Sequence, residues 1–258
     1  MDGKMKIAKF VIGEKERYGE VQGNRICEIR GDIFSGDFEV TQTEYPLDKV
    51  KFAPVTNPTK VIGLAVNYSD HAAEHNTTTP EDPWFFLKPP SALIGHKETI
   101  ILPPNAKQVE YEAELVFVIK DKIKNVPVEE ALDHILGYTC GNDVSARDIQ
   151  EKDRTWPNRA KGYDTFAPVG PYIVTDIDPG NLKIELFQNG ELRQSSNTSY
   201  LVFDVPTLVS FISREMTLFP GDLIYTGTPS GVGPISDGDL IEVKIENIGT
   251  LTNFGKRP

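Results

Sequence analysis

Short apolar or alternating runs separated by turn residues dominate the chain, and this pattern predicts a mixed, mostly β protein. Near the N-terminus, glycine and charged turns separate three strand-like runs over 6–12, 17–22 and 25–29, as in a small meander. Later runs predict strands over 61–65, 84–87, 99–102, 113–120, 172–174, 184–188, 223–225 and 240–245.

Two segments show the 3.6-residue period of an amphipathic helix. One follows Asn125 and places apolar residues at positions 128, 131, 132, 135 and 136. The other follows Asp204 through PTLVSFISREM. A weakly patterned polar segment runs to about residue 50, and a new apolar run begins after Pro58. We therefore predict a small N-terminal β module over 1–56 and a main domain over 57–258.

Charge and composition narrow the possible partners. The 258 residues carry 27 Lys and Arg against 38 Asp and Glu, a net charge of −11, which repels phosphate backbones and anionic membranes. We predict neither a nucleic-acid nor a membrane partner, and the absence of a secretion signal in MDGKMKIAKFVIG leads us to expect a cytoplasmic protein. Cys27 and Cys140 form no C-x-x-C pair, and four histidines at unrelated spacings do not support a zinc site.

Two glutamates, Glu112 and Glu114, stand two residues apart in QVEYEAELVFVIK, a segment with the pattern of a core strand. A strand sends residues i and i+2 to one face, so both carboxylates point the same way. Their charges repel each other, and burying either one alone is costly. A divalent cation between them would relieve both effects. The alternative is an exposed acidic edge of a sheet.

Asp143 lies where an apolar run gives way to a polar, helix-compatible stretch. Such junctions often place a carboxylate at the rim of a pocket, and a third carboxylate makes an oxygen-rich set suited to Mg²⁺ or Mn²⁺. The alternative is a helix N-cap. Arg147 and Gln150 follow three residues apart, so on a helix they share a face. Arginine can grip a substrate carboxylate through two parallel hydrogen bonds, or it can form a surface ion pair.

Two polar loops add candidates for proton transfer and anion binding. His71 and Glu74 are three apart in NYSDHAAEH, and an imidazole oriented by a carboxylate is a common general base. An exposed pair is the alternative, and His75 is another candidate base. The loop YTGTPSGVGP lacks the lysine and the spacing of a phosphate loop. Its backbone N–H groups and the Thr228 hydroxyl could hold a carboxylate.

Six motifs, taken in order, resemble the fumarylacetoacetate hydrolase family. They span residues 67–234 and read NYSDHAAEH, FFLKPPSALIGH, VEYEAELVFVI, GYTCGNDVSARDIQ, KGYDTFAPVGP and YTGTPSGVGP. The resemblance extends to acylpyruvate hydrolases and to 2-hydroxyhepta-2,4-diene-1,7-dioate isomerase-like members. It implies a β-sandwich or roll with a few short helices, preceded by a small N-terminal β module.

The resemblance also implies roles for individual residues. It implies that one Mg²⁺ or Mn²⁺ per chain is bound by Glu112, Glu114 and Asp143. The implied catalytic residues, which activate water and stabilise charge, are His71, Glu74 and Lys161. The implied substrate-binding residues are Tyr68, Lys88, Arg147, Gln150 and Thr228.

The reaction that the resemblance implies is C–C cleavage of a small anionic 2-oxo acid. We expect hydrolysis of an acylpyruvate, such as a 2,4-dioxo or fumarylpyruvate-like acid, with His71 and Glu74 activating the water. Decarboxylation of an oxaloacetate-type β-oxo acid and isomerisation or tautomerisation of a 2-hydroxy-dienedioate use a similar enolate and are alternatives. A metal-binding regulatory protein is the non-enzymatic alternative. The resemblance further implies a homodimer.

Overall fold

The computed structural model describes residues 3–69, 78–153 and 156–258. Strands dominate this part of the chain, which confirms the predicted mostly β class. The N-terminal strands are β1 (Lys6–Ile12), β2 (Lys15–Gln22), β3 (Arg25–Asp32), β4 (Asp37–Pro46) and β5 (Lys51–Phe52). The next strands are β6 (Val61–Ala65), β7 (Trp84–Lys88), β8 (Leu93–Ile94), β9 (Thr99–Ile101), β10 (Val109–Tyr111), β11 (Ala113–Ile119), β12 (Ile135–Asn142) and β13 (Ser145–Ala146).

The C-terminal part adds seven strands and most of the helical residues. Its strands are β14 (Ala167–Val174), β15 (Lys183–Gln188), β16 (Glu191–Asn197), β17 (Leu223–Tyr225), β18 (Gly233–Pro234), β19 (Leu240–Ile245) and β20 (Gly249–Lys256). The described α-helices are α1 (Arg147–Lys152), α2 (Pro157–Lys161) and α3 (Val205–Glu215), and short 3₁₀ helices cover Pro90–Ala92, Val128–His134 and Thr198–Tyr200. None of the helices in these ranges is long and apolar enough to cross a bilayer.

Three sheets organise the described chain. The largest has twelve strands in the order β4-β3-β2-β1-β14-β12-β11-β17-β6-β7, with β5 paired to β1 and β8 paired to β14. A five-stranded sheet runs β16-β15-β19-β20-β9, and a three-stranded sheet runs β13-β10-β18. Strand β11 lies inside the large sheet, between β12 and β17.

Strand β11 is buried on both faces, which explains its continuous apolar sequence. Leu115 and Phe117 pack into one hydrophobic cluster, whereas Val116 and Val118 pack into another. A strand covered on both sides needs apolar residues at every position, and the usual alternation with polar residues disappears. Glu114 interrupts this run at a fully buried position, so a chemical reason for its charge is required.

The N-terminal strands join the large sheet directly. Strand β1 pairs antiparallel with β14, with Ile7 opposite Ile173. Ile7 also belongs to the hydrophobic cluster that contains Val116. The predicted boundary between 56 and 57 falls in the segment between β5 and β6 and stays a prediction.

The helix predicted after Asn125 is wrong in type and extent. The chain forms a 3₁₀ helix over Val128–His134, and the next residues, Ile135 and Leu136, belong to β12. A 3₁₀ helix repeats every three residues, so the stripe of an α-helix does not form. Val128 is accordingly 48% exposed.

The helix predicted after Asp204 is confirmed as α3. The Asp204 side chain accepts a hydrogen bond from the Thr207 N–H at 3.0 Å and caps the helix. Leu208 and Ile212 are buried on its inner face.

Candidate active site

A cluster of three buried carboxylates lies where β10, β11 and β12 meet. Glu112 occupies the single residue between β10 and β11, Glu114 lies on β11, and Asp143 directly follows β12. Strand pairing places Ala113 opposite Asn142, and the Asp143 N–H donates to the Glu112 carbonyl at 2.9 Å. One carboxylate oxygen from each residue lies within 4.8 Å of the others. The predicted convergence of these three residues is therefore present.

Burial excludes the two simpler interpretations of these acids. Glu112, Glu114 and Asp143 are 5%, 0% and 0% exposed, so they do not form an exposed acidic edge. Asp143 is not a helix N-cap either, because α1 is preceded by Ala146 and has no side-chain cap. Buried carboxylates need partners of opposite charge, so each acid of the cluster requires a cationic or hydrogen-bonding partner.

Glu114 is the least compensated of the three acids. Its Oε2 accepts from the Gly227 N–H at 2.7 Å, whereas its buried Oε1 has no hydrogen-bond partner among the described residues. Burial raises the pKa of this carboxyl well above its usual range, and the charges of Asp143 and Glu112 raise it further. Mg²⁺ and Mn²⁺ take oxygen ligands of this kind, so the donor set fits a divalent cation.

Two buried ammonium groups contact the same carboxylates. Lys161, at the end of α2, donates to Glu112 at 2.8 Å, to Asp143 at 2.5 Å and to the Ser145 hydroxyl at 2.7 Å. Burial opposes its charge, but Asp143 and then Glu112 outweigh this effect and raise its pKa. Lys161 is therefore held as a cation at the edge of the cluster.

Lys88, on β7, is enclosed on the other side of Asp143. It donates to the Asp143 carboxylate and to the Phe166 carbonyl, the latter at 2.8 Å. Burial lowers its pKa, although the Asp143 charge opposes the shift. Its contacts here are with the protein, and its role in substrate binding stays a prediction.

Arg147 and Gln150 share one face of α1, as the sequence predicts. The Arg147 Nη1 donates to the Gln150 Oε1 at 2.6 Å, and its Nε donates to Glu110 at 2.7 Å. Its Nη2 contacts Glu112. Burial disfavours the guanidinium charge, yet Glu112 and Glu110 more than offset this and raise its pKa. Protein carboxylates thus engage the arginine that the sequence assigns to a substrate carboxylate.

The glycine-rich loop after β17 holds the cluster from another side. Gly227 has a φ of +98°, and a Cβ there would lie 2.9 Å from the Asn67 Cβ, so glycine is required. Its N–H group binds the carboxylate of Glu114. The sequence predicts that backbone N–H groups of this loop bind an anion, and the Gly227 N–H binds a protein carboxylate. Thr228 is buried, and its hydroxyl accepts from the Gln194 side chain at 2.9 Å.

A cavity of about 260 Å³ adjoins the cluster. Its polar lining consists of Glu112, Arg147, Gln150, Lys161 and Thr228. Its apolar lining includes Leu64, Trp84, Phe85, Phe86 and Pro157. A cavity in which several polar groups converge beside apolar side chains is typical of a small-molecule site.

Of the remaining predicted residues, only Tyr68 falls within the described ranges, and it is not among the residues that line the cavity. Tyr68 is buried and its backbone forms a β-bridge with Leu201. His71 and Glu74, with the alternative base His75, lie outside the described residues, so their roles stay predictions.

Sequence reasoning missed three residues that the structure brings to the site. Glu110 stands two residues before Glu112, and extending the same period-two pattern would have found it. Ser145 donates to Glu112 at 3.0 Å and receives Lys161. Gln194 binds the Ala113 N–H at 3.0 Å as well as Thr228. No local pattern marks Ser145 or Gln194, because their partners are distant in sequence.

Comparison with known proteins identifies the family. The family model described as fumarylacetoacetate (FAA) hydrolase C-terminal matches residues 60–254. The chain belongs to the fumarylacetoacetate hydrolase family. A second model, described as Rv2993c-like, N-terminal, matches residues 5–54 of this family member.

Relatives of this family member include enzymes with different reactions. The mitochondrial oxaloacetate tautomerase Fahd2a of Rattus norvegicus is 41% identical over 219 residues, which cover 81% of this chain and 70% of the relative. The crystal structure of 2-hydroxyhepta-2,4-diene-1,7-dioate isomerase from Mycobacterium marinum matches with a TM-score of 0.91 at 43% identity, covering 98% of both chains.

A third relative was solved with ligands. The maleylpyruvate hydrolase from Sphingobium sp. SYK-6, in complex with manganese(II) and pyruvate, matches with a TM-score of 0.81 at 33% identity. The match covers 98% of this chain and 99% of the hydrolase. These likenesses confirm the family fold and support an enzyme, and the buried acidic cluster is its candidate divalent-metal site.

Proposed function

We propose that this chain is a divalent-metal-dependent enzyme of small anionic 2-oxo acids and that it hydrolyses the C–C bond of acylpyruvates. The observation that carries the proposal is the buried cluster of Glu112, Glu114 and Asp143, of which Glu112 lines the cavity. A bound Mg²⁺ or Mn²⁺ supplies Lewis acidity toward the 2-oxo and carboxylate oxygens of the substrate.

The described residues contribute positive charge and a fixed geometry. Lys161 lines the cavity and is held by Glu112 and Asp143, so its ammonium group is oriented before the substrate binds. It stabilises the negative charge that develops on the 2-oxo oxygen when the C–C bond breaks. Its ammonium also lies 5.1 Å from the centre of the Phe86 ring, which helps to hold a buried cation.

Hydrolysis further requires a base that removes a proton from the attacking water. We assign this role to His71, oriented by Glu74, because imidazole is effective near neutral pH and a carboxylate can fix its tautomer. The water then attacks the distal carbonyl, and the products are pyruvate, or a related oxo acid, and a carboxylic acid. Gln150 and Thr228 offer hydrogen-bonding groups on the cavity wall.

Keto–enol tautomerisation is the second candidate function, and the relatives favour it. Two enzymes more than 40% identical to this chain are called an oxaloacetate tautomerase and a dienedioate isomerase. Such a reaction needs the same stabilisation of an enolate but no attacking water, so Lys161 and a divalent cation held by the carboxylate cluster would supply the positive charge it requires.

A substrate panel separates these reactions. The full chain is incubated with Mg²⁺ or Mn²⁺ and with acetylpyruvate, fumarylpyruvate or oxaloacetate, while pyruvate, CO₂ and the keto–enol ratio are measured. Pyruvate without CO₂ from an acylpyruvate supports hydrolysis. Accelerated ketonisation of oxaloacetate alone supports the tautomerase, and CO₂ release supports a decarboxylase. Binding of Mn²⁺ without turnover of any substrate would instead indicate a regulatory protein.

We also propose a homodimer. Light scattering coupled to size-exclusion chromatography should then give about twice the chain mass of 28.7 kDa. A mass equal to one chain across the working concentration range would contradict it.

A further inference from the structure

Glu110 is a third glutamate on the face that carries Glu112 and Glu114. The three residues alternate along β10 and the start of β11, so their side chains point to the same side. Glu110 is only 6% exposed, yet it lies outside the carboxylate cluster suited to a cation. A buried acid outside the metal site needs another reason for its charge.

The contacts of Glu110 connect it to Arg147. Its Oε2 accepts from the Arg147 Nε at 2.7 Å, and its Oε1 accepts from the Gln108 Nε2 at 2.5 Å. The carboxylate is therefore held from both sides. Glu110 and Glu112 are the two carboxylates in ion-pair contact with this guanidinium in the part of the chain that the structure describes.

Arg147 competes with a cation for Glu112. The Glu112 Oε1 receives Arg147 and the Ser145 hydroxyl, and its Oε2 receives Lys161 at 2.8 Å. A cation bound by Glu112 weakens the ion pair between Glu112 and the Arg147 guanidinium. The Arg147 side chain is only 19% exposed, so water cannot fully replace a lost carboxylate. The guanidinium then depends on Glu110, the paired carboxylate that lies outside the candidate cation site.

We propose that Glu110 is a positioning residue that supplies Arg147 with its own counter-charge and thereby leaves Glu112 available as a metal ligand. The inference rests on the proposed metal site and concerns how Glu112 remains able to bind the cation there. Without the Glu110 charge, Arg147 pairs more strongly with Glu112 and excludes the cation. Without Arg147 as well, the competition disappears.

Calorimetric titration of the full chain with Mn²⁺ tests this relation without measuring turnover. Glu110→Gln keeps the shape of the side chain and removes its charge, and it should weaken Mn²⁺ binding about tenfold. Adding Arg147→Gln should restore most of the affinity. A purely structural role for Glu110 would change the stability of the metal-free chain in parallel with Mn²⁺ affinity, because an unpaired buried guanidinium destabilises the fold and its removal repairs it. Thermal unfolding in a chelator separates the two roles, since competition for Glu112 changes Mn²⁺ affinity without a parallel change in stability. Glu151→Gln, an exposed acid on the same helix as Arg147, is the matched control and should bind Mn²⁺ as the wild type does.

Two results would overturn the inference while leaving the metal site intact: unchanged Mn²⁺ affinity in Glu110→Gln, or a double variant that binds no better than Glu110→Gln. A wild-type chain that binds no Mn²⁺ would overturn the metal site itself. If Glu110→Gln fails to fold by circular dichroism, Arg147→Gln alone decides the matter. It should bind Mn²⁺ at least as tightly as the wild type, and weaker binding would contradict the competition.

Discussion

At the scale of single residues, Glu114 is the least compensated of the three acids in the buried cluster. It is fully buried, and among the described residues its Oε1 has no hydrogen-bond partner. Replacing it with glutamine keeps its shape and removes a ligand charge. We expect Glu114→Gln to weaken Mg²⁺ or Mn²⁺ binding at least about 100-fold and to abolish turnover.

The same substitution should not destabilise the metal-free chain, since it removes a repelling charge between Asp143 and Glu112. Titration calorimetry and thermal unfolding in a chelator measure the two effects separately. Metal affinity close to that of the wild type would refute the assignment of Glu114 as a ligand.

We expect His96 to make the stability of the fold depend on pH. Burial, and then the charge of Lys97, lower its pKa to about 4. Its Nδ1 accepts from the Thr252 N–H at 3.1 Å, and protonation would remove this acceptor. The unfolded chain binds the proton near pH 6.5 and the folded chain only near pH 4, so stability is complete above pH 6.5 and falls as the pH decreases toward 4.

The expected loss is about 1–2 kcal/mol, less than the full pKa shift implies, because the imidazole is partly exposed. His96→Asn keeps a hydrogen-bond acceptor and cannot titrate in this range. Urea denaturation at pH 7 and pH 4.5 should therefore show a smaller pH-dependent loss in this variant than in the wild type. An equal loss in both chains would assign the effect to other groups.

The candidate metal ligands could be predicted from sequence because strand geometry and charge repulsion act locally. Glu112 and Glu114 are related by the period of two, and Asp143 by its position after a strand. Gln194 could not be found in this way, since its role depends on contacts with Ala113 and Thr228 across two sheets. Long-range hydrogen bonds leave no periodic signal in the chain.

At the scale of elements, the burial of a strand determines whether it can be predicted from its sequence. The apolar runs of β6, β17 and β19 predict their observed bounds. Strand β4 was hidden in a polar segment because most of its residues are exposed. In β20 the inward positions include Asn253 and Gly255, so alternation in burial is not alternation in hydrophobicity.

Asp222 connects elements at the entrance to β17. Its fully buried carboxylate accepts from the N–H and hydroxyl of Thr59 at 2.9 and 2.7 Å, and from the Phe219 N–H at 2.8 Å. It also pairs with Lys60 at 2.5 Å. We expect Asp222→Ala to lower the free energy of unfolding by about 3 kcal/mol, because it leaves several donors without their partner.

Asp204→Ala is the matched control for this change. It removes one capping hydrogen bond from α3 and should cost about 1 kcal/mol. Chemical denaturation of both variants gives the comparison. Equal losses would show that the Asp222 network contributes no more than a helix cap.

At the scale of the whole molecule, the N-terminal strands and the main domain share one sheet and one hydrophobic cluster. Ile7 lies on β1, opposite Ile173 on β14, and packs in the cluster that also contains Val118. Because the N-terminal strands take a sheet partner and some of their apolar contacts from the main domain, we expect them to unfold together with it. Turns and polar linkers in the sequence do not show that strands on the two sides of the predicted boundary pair with each other in one sheet.

We therefore expect thermal unfolding to show a single cooperative transition for residues in both parts of the chain. Ile7→Ala removes a fully buried side chain and should lower the stability of the whole chain by about 3 kcal/mol. Trp84 and Trp156 report on the main domain by fluorescence, and far-UV circular dichroism reports on all strands. The two probes should give coincident transitions in the wild type and in Ile7→Ala. An early circular-dichroism transition in Ile7→Ala, without a change in tryptophan fluorescence, would show that the N-terminal strands unfold on their own.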